Sequence, residues 1–278
     1  MPEDDKEKPK TVIKESQLEE PHDFSSFSLT RDAIMTFCKL KVPQLKRDER
    51  IGLYDSILVG CKNEFDFIFL MIIATAIASI GLAQNSTAVI IGAMLVAPLM
   101  TPILGMGLSL VQGNRDLMIY SSLSTSVGFA IALLVSAGLG YFAFANDLTN
   151  EMVSRGNPRA SDLFVGLFSG MAAAYCKSRP HLSSAIPGVA IAAALVPPIS
   201  TVGMCLAFQE YTLSANAATL FFVNVIAIVI GASLMFFAVG MRGRAAEEGH
   251  DSWVYLIYFS KIALFALILV YFIYFRHK

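Results

Sequence analysis

Apolar residues in this chain fall in long blocks, not in the short alternation of a strand. Seven blocks follow residue 64: 67–83, 86–112, 117–144, 163–176, 184–208, 214–241 and 253–275. A helix that spans a bilayer needs about 20 apolar residues. The pattern therefore predicts an all-α, polytopic membrane protein of about seven spans. The fourth block is the short one, with 14 uncharged residues between Asp162 and Lys177. It is read as a crossing matched by snorkelling flanks, with a loop-back as the alternative.

Polar stretches set the remaining boundaries. Residues 1–29 are charged and aperiodic, which predicts a disordered tail; the opening MPEDDKEKPK has no apolar core and does not read as a cleavable signal. Residues 30–63 read as amphipathic helices on the membrane surface, or as a small cytosolic cap. Thr30 and Asp32 start the first helix and Pro43 ends it. In the second, Ile51, Tyr54, Ile57 and Leu58 share one face, with Lys46, Arg47, Arg50 and Lys62 at headgroup level. With the N-terminus cytoplasmic, inside loops carry Arg115, Lys177, Arg179, Arg242 and Arg244, against Arg155, Arg159, Arg276 and Lys278 outside. That bias favours N-inside and a multi-pass protein of the inner cell membrane.

Two blocks contain prolines where a spanning helix needs unbroken hydrogen bonds. Residues 95–102 read LVAPLMTP, and residues 195–202 read LVPPISTV. At an offset of 100, Val89, Ile91, Ala93, Leu95, Val96, Pro98 and Thr101 recur as Val189, Ile191, Ala193, Leu195, Val196, Pro198 and Thr201; at an offset of 96, Asp66 recurs as Asp162. Three spans per half make the second half inverted, the plan of many secondary transporters. The predicted organisation is repeat one over 64–145, a linker at 146–161, repeat two over 162–241 and an additional C-terminal helix at 253–275.

Each proline removes a donor from a carbonyl four residues earlier. Pro98 frees the carbonyl of Met94, Pro102 that of Pro98, and Pro197 and Pro198 those of Ala193 and Ala194. Such groups are costly in hydrocarbon unless they face protein, water or a ligand. Thr101 before Pro102, and Ser200 or Thr201 in the other half, are placed to cap new half-helices. Paired half-helix ends would make a polar spot deep in the membrane, able to hold an ion or small polar solute; Gly92, Gly105, Gly107, Gly188 and Gly203 would allow close backbone approach. A plain kink with re-satisfied carbonyls is the competing reading.

Other polar residues are weighed the same way. Asn85 starts the second block, as a cap or as a mouth to the site. Asn224 lies midway in the sixth block and either bonds a neighbouring helix or faces the pathway. Asp66 and Lys261 form a candidate charge pair, against a helix-dipole role for Asp66 and snorkelling for Lys261. Ser121, Ser122, Ser124, Thr125 and Ser126 crowd the third block, and Gly166, Gly170 and Ala174 form a small-residue stripe in the fourth.

Composition agrees: 55% hydrophobic and 15% charged residues, where soluble domains carry about 25% charged. A net charge of −1 makes no case for nucleic acid. Cys38, Cys61, Cys176 and Cys205 lack paired spacing and read as apolar fillers, so neither a metal nor a cofactor is expected. There is no HExxH, GxSxG or GxxxxGK[ST] motif, and His22, His181, His250 and His277 lie outside the blocks; neither an enzyme nor a nucleotide-driven pump is indicated.

NSTAVIIGAMLVAPLMTPILGMGLSLVQGN (85–114), GVAIAAALVPPISTVGMCLA (188–207) and the linking EMVSRGNPRASDLFVGLFSGMAAAY (151–175) resemble the hallmark blocks of the domain of unknown function 389 family, the uncharacterised hydrophobic domain. The resemblance covers roughly residues 60–240. It implies a prokaryotic integral membrane protein and supplies no substrate. The expected function is that of a transporter or channel-like protein for a small ion or polar solute. Its partners would be the lipid bilayer and that solute, with a homo-oligomer as a further candidate. The alternative is a membrane sensor or assembly partner working through the N-terminal segment.

Overall fold

The computed structural model describes residues 43–62, 65–142, 148–157, 159–179, 181–183 and 185–241. Every regular element among them is helical: α1 Arg47–Gly60, α2 Phe65–Ala83, α3 Thr87–Val96, α4 Met100–Gln112, α5 Arg115–Tyr141, α6 Asn150–Arg155, α7 Ala160–Lys177, α8 Ala185–Ala207 and α9 Tyr211–Ala238. Four of these, α2, α5, α8 and α9, are long and apolar enough to cross a membrane, and α3 with α4 makes a fifth if the bent pair is one span. Of the seven spans read from the sequence, the described residues thus bear out four by length and apolarity, or five with the bent pair. The polar ends of α7 take it out of the set, and the segment 253–275 lies outside the described residues, as do 1–29 and Lys261.

Tight turns join several successive helices. Asn114 starts α5 by accepting the Leu117 N–H at 3.0 Å, just after Gly113 closes α4 at φ 65°. One end of the bundle, here the proximal end, gathers residues 43–46, the α4–α5 turn and the end of α9. The Leu45 N–H donates to the Val239 carbonyl at 3.1 Å, Gln44 Nε2 to the Ala238 carbonyl at 2.8 Å, and Asn114 Nδ2 to the Tyr54 hydroxyl at 3.0 Å. The distal end gathers the α2–α3 turn and α6: Thr149 Oγ1 donates to the Leu82 carbonyl at 2.8 Å, and the Glu151 N–H to Asn85 Oδ1 at 3.0 Å.

The expected break in the first proline segment is present. Between α3 and α4 the axis turns by 59°, and Ala97, pushed out of the helical region by Pro98, is extended at φ −68°, ψ 122°. The cap differs from expectation. Helix α4 begins at Met100, its N-cap is Leu99, and Thr101 and Pro102 lie in its first turn, where a missing N–H costs no helical bond.

The second proline segment does not break. Helix α8 runs for 23 residues straight through Pro197 and Pro198, so the matched pair of discontinuous helices is corrected to one bent pair and one continuous helix. The reason lies in packing. From Ile191 to Cys205 nearly every residue of α8 is buried, and the carbonyl that Pro198 deprives of its donor is satisfied from α9 instead: Asn224 Nδ2 donates to Ala194 O at 2.8 Å.

Small residues let the helices close around α8. A methyl group on Gly203 would collide with the Ser136 side chain of α5, and one on Gly170 of α7 would sit 2.9 Å from the Ile228 carbonyl carbon of α9. The stripe Gly166, Gly170, Ala174 is buried, as its spacing suggests. Bulky apolar side chains point outward instead, with Leu134 72% and Phe168 62% exposed. Such a surface suits hydrocarbon better than water.

Helix α1 buries Leu53, Ile57 and then Cys61, an i, i+4, i+8 row. Of the apolar face read from Ile51, Tyr54, Ile57 and Leu58, Ile57 is buried in the bundle and Ile51 is exposed. The serine-rich start of α5 meets the end of this row. Cys61 Sγ lies 3.3 Å from Ser121 Oγ, and Ser124 Oγ donates to the Cys61 carbonyl, so the end of α1 is tied into the bundle. Burial pushes the Cys61 thiol pKa up.

Candidate functional site

Two cavities flank α8, one toward each end of the bundle. The proximal cavity has a volume of about 490 Å³. Its mouth is formed by the α1–α2 junction, with Lys62 and Asp66; its inner wall is the α3–α4 break, with Met94, Pro98 and Thr101; and Ala185, Gly188 and Val189 of α8 close it. The distal cavity is about 450 Å³. Glu151 and Arg155 of α6, with Arg159 and Asp162 at the start of α7, form its mouth, and Ala193, Ala194 and Pro198 of α8 with Asn224 of α9 form its floor.

Val189 lines one cavity and Ala193 the other. Four residues of α-helix rise about 6 Å. Roughly one turn of α8, containing the fully buried Ile191, thus separates a space reached from the proximal end from one reached from the distal end. Charge is balanced at each mouth: one cation and one anion at the proximal, two of each at the distal.

Local chemistry holds the distal mouth. Arg155 pairs with Glu151 at 3.4 Å along one turn of α6. Thr87 Oγ1 donates to the same Glu151 carboxylate, tying α6 to the start of α3. Asp162 Oδ2 accepts the Arg159 N–H at 2.8 Å, which fixes the entry to α7. At the floor, the bond from Asn224 Nδ2 to a carbonyl oxygen assigns the amide orientation. Its Oδ1 then has no partner, although Asn224 is only 3% exposed. Arg155 Nε is likewise shielded without an acceptor.

The residues singled out from the sequence divide into three groups. Met94, Pro98 and Thr101 meet in the proximal cavity together with Asp66, and Ala193, Ala194, Pro198 and Asn224 meet in the distal one. Pro102, Pro197, Ser200 and Thr201 are buried in helix packing outside both linings; Thr201 Oγ1 donates back to the Pro197 carbonyl at 2.9 Å. Asn85 is a turn residue at φ 52° whose side chain accepts the Glu151 N–H of α6; it lines neither cavity itself but holds a residue of the distal mouth. The proposed partner of Asp66, Lys261, lies outside the described residues; Lys62 shares the cavity with Asp66 instead.

Lys62 is read from the sequence as a headgroup charge and Arg155 and Arg159 as outside-loop charges; the structure adds them, together with Glu151, to the cavity mouths. The recurrence of Asp66 as Asp162 was the available signal, since each marks the mouth of one cavity.

The segment from Met94 at the end of α3 to Ile230 in α9 holds both proline segments and every helix between them. Residues 94–230 match the family model described as Domain of unknown function (DUF389). This stretch is a DUF389 domain. The chain is also 27% identical over 208 residues to the uncharacterized protein MJ0678 of Methanocaldococcus jannaschii, covering 73% of this chain and 65% of that protein. The chain thus spans slightly under two thirds of that relative. No solved structure matches. The DUF389 domain contributes the inner wall of the proximal cavity and the mouth and floor of the distal one, while α1 and the start of α2 lie before it.

Proposed function

We propose that this DUF389 protein moves a small ion or polar solute across a membrane, by exposing a central site alternately to two opposed cavities. The observation that carries this reading is the single turn of α8 between Val189 and Ala193. A barrier of about 6 Å is thin enough to be opened by a modest shift of α8 against the α3–α4 break.

The sequence repeat supports the same reading. Met94 and Pro98 line the proximal cavity, and their equivalents Ala194 and Pro198 line the distal one; Asp66 and Asp162 follow the same rule. An inverted arrangement of α2–α5 and α7–α9 accounts for that correspondence, as in transporters built from inverted repeats. Helix α3–α4 is the broken element of the pair and α8 the continuous one, a difference expected of a protein caught in one of two alternating states. In this reading the chain spans the inner membrane with its N-terminus cytoplasmic, and no step is enzymatic.

Reconstitution into liposomes tests it. Flux of a panel of ions and small polar solutes should exceed that of empty vesicles for at least one solute. Substituting Ala193→Trp, which fills the distal floor, should abolish that flux while the purified protein remains folded. Indistinguishable flux with and without protein across the panel would refute transport.

A further inference from the structure

Helix α8 is not held evenly along its length. Its C-terminal half is locked to α5 through the backbone. A methyl on Gly203 would lie 2.7 Å from the Leu133 carbonyl oxygen and 2.8 Å from the Ala137 nitrogen, and one on Gly140 of α5 would lie 3.2 Å from the Met204 Cα. Ser214 Oγ of α9 donates to the Val202 carbonyl at 3.2 Å, and every residue from Leu195 to Cys205 is buried. The N-terminal half is looser. Ile186 is 79% exposed, and Ala185, Gly188 and Val189 border the proximal cavity. The nearest atoms to a methyl on Gly188 belong to the side chain of Met100, with the sulfur at 3.0 Å, and a thioether chain yields where backbone does not.

The two halves meet where α8 is short of hydrogen bonds. Pro197 and Pro198 offer no N–H to the carbonyls of Ala193 and Ala194. Asn224 replaces the second of those donors. For the Ala193 carbonyl no donor from another helix is found among the described residues. One side-chain bond therefore stands where two backbone bonds would join the halves. Thr201 Oγ1 ties the Pro197 carbonyl to the C-terminal side at 2.9 Å, so the prolines belong to the anchored half and the free step lies just before them. Prolines are also where helices bend sharply. We propose that α8 is a hinged helix: residues 185–194 swing about the Ala193–Pro198 step, clasped there by Asn224, while residues 199–207 stay fixed on α5. Val189 lines the proximal cavity, and Ala193 and Ala194 line the distal one, so one swing reshapes both. The inference refines the transport reading, which needs only that α8 shifts.

Spin labels on Ile186→Cys and Leu206→Cys, both exposed positions, test it in the full chain in lipid nanodiscs with the native cysteines replaced. Twenty residues of unbent helix span about 30 Å, and a bend on the scale of the 59° between α3 and α4 shortens that by about 4 Å. The distance distribution should hold two populations separated on that scale, or be clearly wider than that of a control pair, Leu134→Cys on α5 with Leu206→Cys. Pro197→Ala with Pro198→Ala restores both N–H groups and should narrow the distribution to that of the control. Where the double change does not fold, Pro197→Ala alone, which restores the donor to Ala193 and keeps the Asn224 bond, should narrow it in the same direction. The hinge is overturned if the Ile186–Leu206 distribution is no wider than the control, or if proline replacement leaves it unchanged. Two populations in a protein that moves no solute would remove the transport reading and leave the hinge intact. Flux with one narrow distribution would do the opposite.

Discussion

The side chain of Asn224 donates to the carbonyl of Ala194 at 2.8 Å, the carbonyl whose helical donor is missing because residue 198 is proline. A polar residue on α9 thereby takes over one backbone bond of α8. This pairing replaces a donor that the continuous helix α8 lacks at its second proline, and it commits the amide nitrogen of Asn224.

Removing that donor should destabilise the protein. Asn224→Ala is expected to cost about 1–3 kcal/mol, the usual penalty for orphaning a buried polar partner. Pro198→Ala restores an N–H to position 198, so in that background the same Asn224→Ala change should cost markedly less. Thermal or denaturant unfolding of the two single variants and the double variant forms the cycle. Additive losses would show that Asn224 acts elsewhere.

Glycines at the α7–α9 seam should tolerate no side chain. A methyl on Gly231 would lie 2.9 Å from the Leu167 carbonyl carbon, and one on Gly170 equally close to that of Ile228. Either alanine substitution should lower stability by about 1–3 kcal/mol through overpacking. Gly92→Ala meets nothing within 4 Å and should be neutral, or stabilising by about 0.5–1 kcal/mol as helical glycines commonly are. Midpoints of unfolding for the three variants check the ranking.

Cysteine reactivity should report the docking of α1. Cys61 is buried beside Ser121, with its thiol pKa raised by desolvation, so little thiolate is present near neutral pH. Cys176 is half-buried. Labelling with a maleimide in mild detergent should modify Cys176 well before Cys61, and Ser124→Ala, which removes a bond to the Cys61 carbonyl, should speed labelling of Cys61. Equal rates in the parent protein would mean that the end of α1 is not held in the bundle.

Much of the scaffold was legible in the sequence. Long apolar blocks gave α2, α5, α8 and α9, the Pro98 break gave the 59° bend, and the Gly166, Gly170, Ala174 spacing gave the α7–α9 seam. The continuity of α8 was not legible, because local rules treat Pro98 and Pro198 alike. What separates them is Asn224, about thirty residues further along and adjacent only after folding. The cap at Thr101 failed for a related reason: the extended residue before Pro98 moves the start of α4 to Met100. The cavity mouths were hidden because Lys62, Arg155 and Arg159 look like ordinary flanking charges until the turns bring them beside Asp66 and Asp162.

The opposed cavities are tested most directly by sided accessibility of two positions one turn apart on α8. Val189→Cys and Ala193→Cys are introduced separately into a background whose native cysteines are replaced, and vesicles of known orientation are treated with a membrane-impermeant thiol reagent from one side or the other. The structure predicts that the two positions are modified from opposite faces of the membrane. Modification of both from the same face, or of neither from either face, would contradict the two-cavity arrangement.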